Sequence, residues 1–88
     1  MTSESSIIYE PQNIDDLSSF LKANKDKYHE IWVVLIKKEH ANPQPVTFNE
    51  AVNAAIEQEL VDSHTKTLDE KKYAVRFTKR KNKKMEAN

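Results

Sequence analysis

The segment Ile31-Trp32-Val33-Val34-Leu35-Ile36 decides how the rest of the chain is read. Six consecutive residues that favour extended backbone, with no polar alternation, describe a strand covered on both faces and held inside a sheet. Trp32 is accordingly expected to be largely buried between two amphipathic helices. Lys37-Lys38-Glu39 ends the strand.

On the N-terminal side, Asn13 is a good helix cap, and Asp15 and Asp16 suit the first turn. Ile14, Leu17, Phe20 and Leu21 then recur at helical spacing and form one apolar face. This helix should stop near Asn24, with a turn at Lys25-Asp26-Lys27. Earlier still, Ile7-Ile8-Tyr9 reads as a short strand closed by Pro11. Residues 1–6 are polar and expected to be loose.

On the C-terminal side, Pro43 and Pro45 forbid regular helix. Thr47-Phe48-Asn49-Glu50 is a capping box, in which hydroxyl and carboxylate each satisfy a backbone N–H. The helix after it should carry Phe48, Ala51, Val52, Ala55, Ile56 and Leu60 on the side it packs on the sheet. Val61–Thr67 reads as a strand with Val61, Ser63, Thr65 and Thr67 on one face. Leu68-Asp69-Glu70-Lys71 is a turn. Tyr73, Val75 and Phe77 alternate with Ala74, Arg76 and Thr78 as a half-buried strand.

These elements define an α+β fold: a small mixed sheet of three or four strands, a β-α-β-β core, and two helices. The helix between the Trp32 strand and the Val61 strand favours parallel strands. The short turn after Thr67 makes the last two strands an antiparallel hairpin. The Tyr73–Phe77 strand is expected between the other two, with Ile7–Tyr9 on the outer edge of the Trp32 strand. Residues 1–78 form a single domain on this reading, and 79–88 a basic disordered tail.

Eighty-eight residues are near the lower size limit for an unstapled core. There is no cysteine, hence no disulfide and no thiolate metal site. There is also no glycine, which rules out the P-loop and the GxGxxG dinucleotide fingerprint. No apolar run approaches the roughly 18 residues of a membrane span. The first residues lack the basic and apolar regions of a signal peptide. The expectation is an intracellular monomer, cytoplasmic or nuclear, with no membrane contact.

The formal net charge of zero conceals a division. Residues 1–70 hold six Lys/Arg and thirteen Asp/Glu, a net −7; residues 71–88 hold eight Lys/Arg and one Glu, a net +7. The basic residues concentrate in Lys79, Arg80, Lys81, Lys83 and Lys84, a candidate contact for an anionic partner. With no aromatic among them, a nucleic-acid contact there would be to phosphate, weak and without sequence preference.

At this point the motifs resemble those of the YdeI/OmpD-associated, or bacteriocin-protection, family. Its members carry a Trp-bearing strand ending in a Lys-Lys pair, a T-[YF]-x-E-A helix, I-D-[SG], D-[DE]-x-x-Y and R-F-T-P-R. The corresponding residues are Trp32, Lys37 and Lys38; Thr47, Phe48, Glu50 and Ala51; Val61, Asp62 and Ser63; Asp69, Glu70 and Tyr73; and Arg76, Phe77, Thr78 and Arg80. The likeness spans roughly residues 14 to 81. Where the family usually has C-F-G-W, this chain has Glu57-Gln58-Glu59-Leu60, and Lys79 replaces a proline. The resemblance implies the fold and names no reaction.

Candidate chemistry is sparse. Asp62-Ser63-His64 contains the residue types of a catalytic triad, but consecutive strand residues point to opposite faces, so Ser63 faces away from Asp62 and His64. Asp62 and His64 with His29 or His40 lack metal-ligand spacing. Lys71–Phe77 nearly matches the first ribonucleoprotein motif but lacks its glycine and second aromatic; Tyr73, Val75 and Phe77 read better as core. Asp62, His64, Lys66, Arg76 and Thr78 are expected to form a polar surface on the hairpin. Cross-strand ion pairing there is worth about 0.2–1 kcal/mol, and the sharper reading is anion recognition by Arg76 and Thr78. The expectation is therefore a non-enzymatic binding module without cofactor, its partner a protein or a nucleic acid. The alternative is a small-ligand or catalytic domain on the hairpin face around Asp62 and Arg76. A concave pocket there would favour that alternative.

Overall fold

The computed structural model describes residues 6–41 and 43–80. In chain order the elements are β1 (Ser6–Tyr9), α1 (Ile14–Asn24), β2 (Glu30–Ile36), α2 (Phe48–Glu57), β3 (Leu60–Thr67) and β4 (Lys72–Lys79), with a 3-10 turn at Lys38–His40. The strands form one sheet in the order β1-β2-β4-β3. β1 runs parallel to β2, and β4 runs antiparallel to both β2 and β3. β2 and β3 are therefore parallel with β4 between them, and β1 covers the outer edge of β2. This is the α+β fold and strand order that the sequence pattern implies.

Both helix starts are set by side-chain capping. The Asn13 carbonyl oxygen accepts from the Asp16 N–H at 2.7 Å. The Thr47 hydroxyl accepts from the Glu50 N–H at 3.1 Å, and the Glu50 carboxylate accepts from the Thr47 N–H at 3.0 Å. Each bond satisfies a donor that the first turn leaves without a partner in the helix.

One core lies between the helices and the sheet. It joins Leu17 and Leu21 of α1, Ala51, Ala54 and Ala55 of α2, Ile31, Val33 and Leu35 of β2, and Val75 and Phe77 of β4, with Val46 and Leu60. The strand residues alternate, so both helices pack on the same face of the sheet. The expectation that both faces of β2 are covered is corrected here. Trp32, Val34 and Ile36 belong to the other face, and Trp32 is half-buried. Val34 and Ala74, opposite each other in register, are buried on that face without a helix above them.

The buried side of α2 differs in part from the expected one, and Leu60, expected on this helix, is the first residue of β3. Ala51, Ala54 and Ala55 are enclosed, whereas Phe48 is 36% and Ile56 51% exposed. Small residues bring the helix axis close to the sheet and to α1, leaving the larger ones at its rim. β4 extends to Lys79, so the boundary of the folded unit lies beyond residue 78. Lys79 pairs with Leu60 in the ladder, and the Arg80 N–H donates to the Glu59 carbonyl at 2.9 Å.

Candidate functional site

The uncovered face of the sheet is built by alternate residues of four strands. From register these are Ser6 and Ile8 of β1; Glu30, Trp32, Val34 and Ile36 of β2; Lys72, Ala74, Arg76 and Thr78 of β4; and Val61, His64 and Lys66 of β3. Trp32 lies opposite Arg76 on one side and Ile8 on the other, and Arg76 lies opposite His64. Ile8 is 57% exposed.

Glu30 organises the centre of this face. One of its carboxylate oxygens accepts from the Trp32 indole Nε1–H at 3.3 Å; the other lies 2.8 Å from Arg76 Nη2. The ion pair is about one-third exposed on each side, so its net contribution is small, about 0–1 kcal/mol. Its effect is orientation, because indole and guanidinium share one acceptor. The His64 ring stands edge-on to Trp32, at 6.3 Å between centroids and 89° between planes. Arg76 Nε is buried and has no hydrogen-bond partner among the described residues.

A bulge at Ser63 corrects the expected polar surface. The register runs Asp62 to Phe77 and then His64 to Arg76, with Ser63 as the additional residue. An extra residue reverses the alternation beyond it. His64, Lys66, Arg76 and Thr78 therefore share the open face, and Asp62 lies on the helix side, opposite Phe77. Neither the pairing of Asp62 with His64 nor that of Asp62 with Arg76 assembles. Glu30 takes the place of Asp62 as the carboxylate beside Arg76. Tyr73, Val75 and Phe77 face the helices, as expected, so the motif resembling a ribonucleoprotein strand offers no stacking surface.

Of the basic run, Lys79 is the last residue of β4, and its Nζ meets Asp26 at 2.6 Å. That contact holds the Asp26 carboxyl below its ordinary range. Lys79 therefore does not belong to a free tail. Arg80 is exposed, and its backbone N–H is tied to the Glu59 carbonyl. Lys81, Lys83 and Lys84 lie outside the described residues.

Among the described residues, no group of three His, Asp or Glu side chains is placed to hold a metal ion. None of their helices is long and apolar enough to cross a membrane. A cleft lined by Glu10, Pro11, Val34, Leu35, Ile36, Pro45 and Val46 offers about 10 Å³, room for about one water molecule. It touches none of Glu30, Trp32, His64, Lys66, Arg76 and Thr78.

The residues that the sequence reading passed over are Glu30 and Trp32. Glu30 has the same strand parity as Trp32, which placed them on one face in advance. That Arg76 would lie opposite Trp32 needed the β2–β4 register, which a single strand pattern does not contain.

Residues 9–86 match the family described as a domain of unknown function, DUF8412, and the chain belongs to that family. Neither a curated protein nor a solved structure matches it.

Proposed function

We propose that the chain is a small non-enzymatic binding module that holds an anionic partner against the open face of its sheet. The observation that carries this reading is the face itself. A half-buried tryptophan and an arginine are locked together by Glu30 on the two central strands, and neither helix covers them. Exposed aromatic and arginine side chains are the residues most enriched at binding hot spots.

The charge distribution supports an anionic partner. Lys66 shares the open face, and among the described residues no ion pair involves it. Arg80 follows β4 at the end of the sheet where Arg76 and Thr78 sit, and Lys81, Lys83 and Lys84 come next in the sequence. The rest of the chain, residues 1–70, has a net charge of −7 and repels polyanions. Contact is thereby limited to the basic side chains of the open face and the residues after β4.

The likeness to the YdeI/OmpD-associated family is part of the same proposal. Glu59 stands where that family's C-F-G-W stretch has glycine, and Glu59 adopts φ 64°, the left-handed region that favours glycine. Two of the residues carrying the likeness, Trp32 and Arg76, meet on the open face. We place the protein inside the cell, as a monomer, in the cytoplasm or nucleus.

Retention on a heparin column tests the reading. The full chain is expected to be retained at low salt. Truncation after Arg80 and the substitution Lys66→Glu should each advance its elution. Passage of the full chain unretained would contradict an anionic partner.

A further inference from the structure

Trp32 distinguishes between kinds of anion. A carboxylate-rich peptide needs cations alone, whereas an unpaired nucleobase also offers a planar π-face that stacks on an aromatic ring. Here the ring and the cations are contiguous. Trp32 is flanked in register by Arg76 and Ile8, with His64 edge-on at 6.3 Å. Arg76 gives Nη2 to Glu30, and a guanidinium carries five N–H donors in all. Lys66 lies two residues beyond His64 on the same face of β3.

The shape of the surface distinguishes between strands. A duplex is read by an element that enters a groove. Here the four strands present one face, and a base must leave its stack to reach Trp32.

We propose that the open face binds single-stranded nucleic acid. One base stacks on Trp32, and neighbouring phosphates are held by Arg76, Lys66 and Arg80. This inference rests on the binding-module reading and names its partner. Thr78 and His64 supply further hydrogen bonds beside the stacked base, and Glu30 keeps the indole in place.

Trp32 is the only tryptophan of the chain, so its emission reports on this site alone. The full chain is titrated with a uridine decamer at low salt. Saturable quenching of Trp32 is expected. Trp32→Leu should weaken binding of the fluorescein-labelled decamer by about 5- to 150-fold, the worth of one stacked base. Trp32→Phe, which keeps a stacking ring, should retain most of the affinity. Far-UV circular dichroism checks that each variant is folded, and the wild-type quenching decides the matter without any variant.

Two results overturn the inference and leave the binding-module reading standing. In the first, the decamer binds with no change in Trp32 emission and with equal affinity for Trp32→Leu. In the second, polyglutamate quenches Trp32 as strongly and displaces the decamer at equal charge concentration, which identifies an acidic protein as partner. If neither the decamer nor polyglutamate binds at low salt, both readings fall.

Discussion

Glu59 adopts φ 64° in the connection from α2 to β3. The chain has no glycine to offer there. The position is nonetheless fixed from both sides: the Glu59 N–H donates to the Ile56 carbonyl, and the Glu59 carbonyl accepts from Arg80, both at 2.9 Å. The left-handed region costs a residue with a Cβ about 1–2 kcal/mol, while glycine loses about 0.4–1 kcal/mol through its freer unfolded chain. Glu59→Gly is therefore expected to raise stability by up to about 1 kcal/mol, read as a higher urea midpoint at unchanged slope. Glu59→Val should lower it. A second residue-scale effect lies in the hairpin turn. The Asp69 carboxylate accepts from the N–H groups of Lys71 and Lys72 at 2.7 and 2.9 Å, which holds its carboxyl below the ordinary value of 3.8. A folded value below the unfolded one contributes stability above the ordinary value, and that stability is lost as the pH falls below it. Asp69→Asn should flatten the loss of stability below about pH 4, measured by urea midpoints across the acid range.

At the scale of elements, α2 separates hydrophobicity from burial. Ala51, Ala54 and Ala55 touch the core, while the larger Phe48 and Ile56 stand at its rim. Ala55→Leu should destabilise by about 1–3 kcal/mol through overpacking, whereas Ile56→Lys should stay within about 0.5 kcal/mol of the parent. Urea midpoints for the two variants check this, and the reverse order would place the helix in another rotation. The sequence marked the starts of both helices correctly, because Asn13, Thr47 and Glu50 act locally. It marked the α2 face only in part: Ala51 and Ala55 are enclosed and Val52 packs against the core, but Phe48 and Ile56 stand outside, because apolar residues are the same letters at the rim and at the centre of a contact. The bulge left no mark either. A serine is an ordinary strand residue, and only the pairing of β3 with β4 shows that Ser63 is supernumerary. That one residue moved Asp62 off the candidate surface and left Arg76 to pair with Glu30.

At the scale of the molecule, the strand order was legible because short connections restrict it: a crossover helix between two strands, then a tight turn. The side on which the helices lie was not legible. A six-residue apolar run describes a strand in the middle of a sheet equally well with one face covered or two. That ambiguity concealed Trp32 as a surface residue, and with it the centre of the candidate site. On the proposed function, partners meet the molecule on the open face of β2, β4 and β3. Amide and indole chemical-shift mapping during titration with the uridine decamer tests it most directly. The largest shifts are expected on the Trp32 indole N–H, His64, Arg76 and Thr78, while Phe48 and Ile56 stay in place. Shifts concentrated on that rim of α2, with the Trp32 indole unmoved, would contradict it.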